Sequence, residues 1–106
     1  MVERASLTAF IADNTVVRPV ALVPELSLHT ADESTAIWQA TERQLADAGV
    51  PPPFWAFAWA GGQALARHLL DHPELVTGRR VFDFAAGSGL VALAAARAGA
   101  RRVWAN

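Results

Sequence analysis

The chain has 106 residues, 53% of them hydrophobic and 18% charged, with a formal net charge of -1. That is one small domain or part of a larger one, with apolar material for a modest core and no electrostatic footprint for nucleic acid or an anionic membrane. The absence of cysteine excludes disulfides, thiolate metal sites and a cysteine nucleophile, and no apolar run reaches the ~18 residues of a membrane-spanning helix.

The opening "MVERASLTAF" lacks the basic start and apolar stretch of a signal peptide, so the expectation is a cytoplasmic protein. Leu7, Phe10 and Ile11 recur at helical spacing and predict a helix over 5–13, with Asn14 as its stop. "LVPELSLH" alternates and predicts a half-buried strand over 22–29. Leu22, Pro24, Leu26 and Leu28 share one face, Val23, Glu25, Ser27 and His29 the other, and the proline confines the strand to an edge. Thr30 and Glu33 have capping-box spacing and predict a helix through Ile37, Trp38, Thr41 and Leu45, ending at Gly49. "PPP" at 51–53 stops any continuation and forms a stiff connector.

Gln63 to Asp71 predicts a further helix, with Leu65, Ala66 and Leu69 apolar and Pro73 beyond its end. "RRVFDFA" is a short apolar run suited to a buried parallel strand. "SGLVALAAARAG" predicts the next helix, with Arg97 in its last turn and Gly99 just past it, and "RRVWAN" begins another strand. The second half therefore reads as helix, strand, helix, strand, an α/β arrangement with one βαβ unit.

The chemistry lies in "DFAAGSGLVALAAA". Gly87 and Gly89 stand where strand gives way to helix. Glycine there permits positive φ and close approach of backbone to a ligand, and the helix start offers free N–H groups. Ser88 adds a hydroxyl. Gly87, Gly89 and Ala92 formally satisfy the nicotinamide pattern G-x-G-x-x-G/A. Asp83, Ala85, Gly87 and Gly89 fit the S-adenosylmethionine pattern D/E-x-G-x-G-x-G, with alanine at its first glycine position. Asp83 favours the second: a carboxylate repels a pyrophosphate and suits the amino group of a methionine moiety.

With these residues in view, "FWAFAWAGGQALARHLLD" and "VFDFAAGSGLVALAAA" resemble the seven-strand (class I) S-adenosylmethionine-dependent methyltransferases. More narrowly, they resemble the lysine methyltransferases of the electron-transfer flavoprotein β subunit and relatives labelled ribosomal-protein-L11-type or nicotinamide-N-type. The likeness is strongest over 51–106. It implies the N-terminal part of a Rossmann-like seven-strand fold, with 1–53 as an α+β accessory segment and 54–106 as the start of the S-adenosylmethionine-binding domain. It also implies that Asp83, Ala85, Gly87, Ser88 and Gly89 line the cofactor's methionine end, and that Trp59, Gly61 and Gly62 belong to the segment closing over it. Ala85 is tolerated only if φ is negative there; otherwise affinity suffers.

The same resemblance implies N-methylation of a protein lysine, with the flavoprotein β subunit as the candidate partner. Alternatives are a small-molecule amine acceptor, a non-catalytic interaction module and a nicotinamide-binding Rossmann domain. The ribose-binding acid, adenine wall and acceptor residues are expected after Asn106, so residues 1–106 alone are expected to lack activity and to self-associate through an exposed sheet edge or pack loosely. No catalytic residue is assigned.

Other residues have plainer readings. Trp55, Phe57 and Trp59 alternate, so Trp55 and Trp59 share a face if extended, as a core strip; Trp59 also suits a sulfonium. Trp38 and Trp104 read as core, and His29 as surface. His68 and His72 have the i, i+4 spacing of a metal pair but no third ligand, so no metal site is expected. The doublets Arg79–Arg80 and Arg101–Arg102 read as solvated strand ends.

Overall fold

The computed structural model describes residues 4–32, 42–47, 49 and 53–106, and these form a mixed α/β structure. Helix α1 is Arg4–Asn14. Its end is set by side chains that donate to its last carbonyls: Asn14 Nδ2 to the Phe10 carbonyl at 2.9 Å and Thr15 Oγ1 to the Ile11 carbonyl at 2.6 Å. No residue of α1 is buried.

Strands β1, Val16–Val20, and β2, Val23–Thr30, form an antiparallel hairpin. The register runs from Val16 opposite Thr30 to Pro19 opposite Ser27, then jumps to Val20 opposite Val23. Residues 24–26 therefore bulge out of the ladder. The bulge shifts the alternation, so Val23 is buried together with Leu28 and Thr30, and the face assignment read from strict period two fails at Val23. Pro24 sits in this irregular stretch of a two-stranded sheet, where a missing N–H costs no ladder bond. β1 has no counterpart among the predicted elements, because Arg18 and Pro19 interrupt its apolar pattern.

Helix α2, Glu42–Asp47, is the described part of the helix predicted to end at Gly49. The Glu33 cap, Ile37, Trp38, Thr41, Pro51 and Pro52 lie outside the described residues. Phe54–Ala56 forms one 3-10 turn, and helix α3, Ala60–Asp71, starts three residues earlier than the sequence pattern suggests. After the short turn Pro73–Leu75 come strand β3, Arg80–Asp83, helix α4, Leu90–Arg97, and strand β4, Arg102–Ala105. β3 and β4 pair in parallel, Arg80 opposite Arg102 through Asp83 opposite Ala105, as expected of a βαβ unit.

One core cluster joins the two halves: Val20, Val23 and Leu28 of the hairpin pack with Ala66 of α3 and with Leu90 and Ala94 of α4. A second holds α3 and α4 over the sheet, through Leu69, Val76 and Ala95 with Val81 and Val103 around them. Alanines at these helix contacts permit close approach. A Cβ at Gly62 would lie 4.0 Å from Val91 Cγ2, so this glycine faces α4 at van der Waals distance. Helix α4 stops in a Schellman arrangement: the Ala100 N–H donates to the Ala95 carbonyl, the Gly99 N–H donates to the Ala96 carbonyl, and Gly99 has φ +95°.

The sheet's other face is open. Phe82, Phe84 and Trp104 are 61%, 75% and 42% exposed. This corrects the readings of "RRVFDFA" as a buried strand and of Trp104 as core. Among the described residues helices cover only the Val81 and Val103 side, so alternate side chains on the far face stay in solvent. The Arg102 guanidinium lies 5.0 Å from the Trp104 ring centroid. The four arginines at the strand starts are exposed, as expected.

Candidate functional site

The glycine turn spans 84–89 between β3 and α4. Ala85, Gly87 and Gly89 take φ of +56°, +57° and +82°. This alternation of left-handed residues turns the chain from strand to helix within six residues. For Ala85 it is a correction: the negative φ that alanine would tolerate is absent, and the left-handed geometry costs it on the order of 1–2 kcal/mol. At Gly87 and Gly89 an added Cβ would enter open space, with no protein atom within 4 Å. Bare backbone therefore faces room for a ligand.

The turn is stitched to the segment after β4. The Ala86 N–H donates to the Asn106 carbonyl at 2.7 Å, and the Asn106 N–H donates to the Asp83 carbonyl at 3.0 Å. Asp83 has a structural duty as well. Its Oδ2 accepts the Ala92 N–H at 3.0 Å, satisfying a donor in the first turn of α4 and placing negative charge at the helix's positive end. Ser88 Oγ accepts from the Leu90 N–H at 3.4 Å. Among the described residues, the Gly87 and Ser88 amides carry no hydrogen bond to another part of the chain.

Trp59 stands at the residue before α3 without a side-chain capping bond and is 57% exposed. Its indole N–H donates to the Phe54 carbonyl at 2.9 Å, and its ring meets Phe54 and Phe57 edge-on, both at 6.0 Å. Trp55 belongs to the 3-10 turn instead and packs against Phe10, with centroids 6.4 Å apart. The extended alternation that would put both tryptophans on one face is therefore broken at residues 54–56. Gly61 and Gly62 lie in the first turn of α3, Gly61 facing open space and Gly62 facing Val91.

Beside the turn opens a groove of about 770 Å³. Helix α1 lines it with Leu7, Phe10 and Ile11, and β2 with Ser27, Leu28 and His29. Among the described residues Gly49, Trp55, Leu93, Gly87 and Ser88 also line it. Of the predicted site residues, only Gly87 and Ser88 border this groove; Trp59, Gly61, Gly62, Asp83, Ala85 and Gly89 do not. The helical spacing of Leu7, Phe10 and Ile11 was visible in the sequence, but nothing there distinguishes an apolar stripe facing a groove from one facing a core. Among the described residues no group of side chains is arranged to hold a metal ion; the His68 and His72 rings lie tilted against each other, centroids 4.6 Å apart, and His72 Nδ1 lies 3.6 Å from Glu74.

The hairpin is clamped to α3 by Arg67. Its guanidinium meets both Glu25 oxygens, at 2.7 and 2.8 Å, and Asp71 at 2.8 Å. The charge-assisted bonds from Arg67 hold the Glu25 carboxyl at about 2, well below its ordinary value. Gln63 adds a strap, donating to the Ala58 carbonyl and accepting from the Leu22 N–H.

No protein-family model matches the chain. Curated proteins do. The chain is 43% identical over 98 residues to the "Electron transfer flavoprotein beta subunit lysine methyltransferase" of Danio rerio, the match covering 92% of this chain and 37% of that protein. It is 40% identical over 104 residues to the protein of the same name in Homo sapiens, covering 94% and 37%. A homolog of that name in Caenorhabditis elegans is 38% identical over 93 residues, covering 88% and 37%. The chain thus spans 37% of the length of each of these relatives.

Proposed function

We propose that this chain, a homologue of the electron transfer flavoprotein beta subunit lysine methyltransferases over about 90% of its length, supplies the methionine-side wall of an S-adenosylmethionine site in a protein lysine methyltransferase. The observation that carries the reading is the β3–α4 turn: Asp83 at the strand's end, left-handed backbone at 85, 87 and 89, and open space above both glycines. The groups present suit a methionine moiety. The Gly87 and Ser88 amides are donors for its carboxylate, and Asp83, which gives one oxygen to α4, keeps a second for its amino group. Bound there, S-adenosylmethionine would supply an electrophilic methyl group.

What this chain's residues do is orient and position. The left-handed turn leaves the Gly87 and Ser88 amides without a partner among the described residues, and Asp83 fixes the start of α4. Such positioning is the main contribution an enzyme makes to methyl transfer. The seven-strand Rossmann-like fold, with 54–106 as its start, is part of the same proposal. So is the flavoprotein β subunit as methyl acceptor, because that is what the relatives' names state. The chain spans 37% of those relatives, so residues 1–106 alone are expected to show no turnover.

The test is a chimera in which residues 1–106 replace the matching part of the Danio rerio protein. Calorimetry should show binding of S-adenosylmethionine and not of NAD, and a lysine in the flavoprotein β subunit should gain methyl groups. Binding of NAD without S-adenosylmethionine would end the methyltransferase reading.

A further inference from the structure

His29 is the single ionisable side chain that lines the groove among the described residues. The other described walls are mostly apolar, Phe10, Ile11, Leu28, Trp55 and Leu93 among them, with the uncharged hydroxyls of Ser27 and, at the turn end, Ser88. A hydrogen-bond argument fixes which imidazole nitrogen carries the proton. The Thr15 hydroxyl has one hydrogen and donates it to the Ile11 carbonyl at 2.6 Å. Toward His29 Nδ1, 3.1 Å away, it can then only accept. With the Thr15 hydrogen assigned to Ile11, the neutral ring carries its proton on Nδ1 and Nε2 keeps its lone pair.

We infer that this groove receives the side chain of the target lysine, and that His29 Nε2 takes the proton from its ammonium group. The inference rests on the methyltransferase reading and adds the acceptor side of the same site. A lysine ammonium ordinarily titrates at about 10.4, so at neutral pH it carries a proton and has no lone pair for attack. Apolar walls suit its methylene chain, and the imidazole stands among them to meet the head group. The ammonium N–H bond breaks, its proton goes to Nε2, and its electron pair stays on nitrogen. The neutral amine then forms the new N–C bond with the sulfonium methyl, and the pair of the broken C–S bond remains on sulfur as a thioether. Thr15 holds the ring's tautomer and orientation throughout and is a positioning residue.

The same chimera tests this, with a lysine peptide as acceptor. His29→Gln should lower kcat roughly 100-fold, the scale of a lost general base. The dissociation constant for S-adenosylmethionine should stay within about twofold, since His29 is not among the turn residues. Added imidazole should restore activity to His29→Gly, which a merely structural role would not allow. Long-range proton–nitrogen NMR should find the His29 proton on Nδ1, and n-butylamine should shift Nε2 and not the nitrogens of His68 or His72. A His29→Gln variant with unchanged kcat, or a proton found on Nε2, overturns the inference. If the parent chimera fails to bind S-adenosylmethionine, the functional reading falls, while the NMR result still decides the role of His29.

Discussion

The βαβ unit and the N-terminal helix are held in place by different forces. Helix α4 buries Leu90, Ala92, Ala94 and Ala95 in eight residues and contributes to both of the larger core clusters. Helix α1 buries no residue in eleven. It is fastened by the Thr15–His29 hydrogen bond and by the Phe10–Trp55 ring contact, and its apolar side chains line a groove. The hairpin lies between these extremes: Val20, Val23 and Leu28 join the core, and Arg67 clamps its outer edge. Apolar burial therefore builds the scaffold that carries the glycine turn, while one hydrogen bond and one ring contact bring the groove's wall up to it.

The widest separation between the two regions should come from truncating leucines. Leu90→Ala, at 2% exposure in the cluster that joins hairpin and helices, is expected to cost ~2–5 kcal/mol in urea denaturation. Leu7→Ala, at 50% exposure on α1, should stay within about 0.5 kcal/mol. Equal losses would mean that α1 contributes to the core after all. Next, Gly87→Val forces a β-branched residue to φ +57°, at a cost of roughly 1–2 kcal/mol or more. In the chimera it should also abolish S-adenosylmethionine binding, by filling the open space above the turn. An unchanged dissociation constant in calorimetry would show that the turn does not approach the ligand.

A smaller effect of opposite sign is expected at Ala85. Glycine relieves the left-handed strain but adds freedom to the unfolded chain, so Ala85→Gly should stabilise by up to about 1 kcal/mol in a thermal melt. Loss of stability would mean the strain is absent. The least effect concerns the hairpin clamp. Glu25 titrates at about 2 when folded and near its ordinary 4.5 when unfolded, so its contribution is complete above 4.5 and fades as pH falls toward 2. Glu25→Gln should flatten stability over that window and leave the slope above it unchanged, as read from urea midpoints at a series of pH values.

Much of this architecture is legible in the sequence wherever pattern and chemistry agree. The βαβ unit follows from two apolar runs around an alanine-rich helical stretch, and Gly99 marks the stop of α4 as expected. The strand at 16–20 is not legible, because Pro19 and Arg18 hide it; only the pairing with Val23–Thr30 makes it a strand. Nor is the bulge at 24–26, which depends on the hairpin's register and buries Val23 together with Leu28, from which strict alternation separates it. At the site, the turn glycines and Asp83 are visible as a motif. The helix-capping duty of Asp83, the packing of Gly62 on α4 and the groove are not, since each depends on residues distant in the chain. The left-handed φ of Ala85 is likewise a property of the turn and not of alanine.

The Schellman stop of α4 sets a tolerance to changes in chain length. Gly99 at positive φ and the two backbone bonds around it fix where the helix ends, and the Gly78 N–H bond to the Gly99 carbonyl, at 2.8 Å, ties that end to the approach to β3. Only four residues then separate α4 from β4. Adding or deleting one residue in that link would slide β4 by one position against β3 and turn every β4 side chain to the opposite face. Val103 would swing out to solvent and Trp104 would be driven under α3 and α4. Insertions and deletions at 98–101 should therefore be selected against far more strongly than substitutions at the exposed Arg101 there, while the bulge at 24–26, already outside the β1–β2 ladder, should accept a change of length more readily.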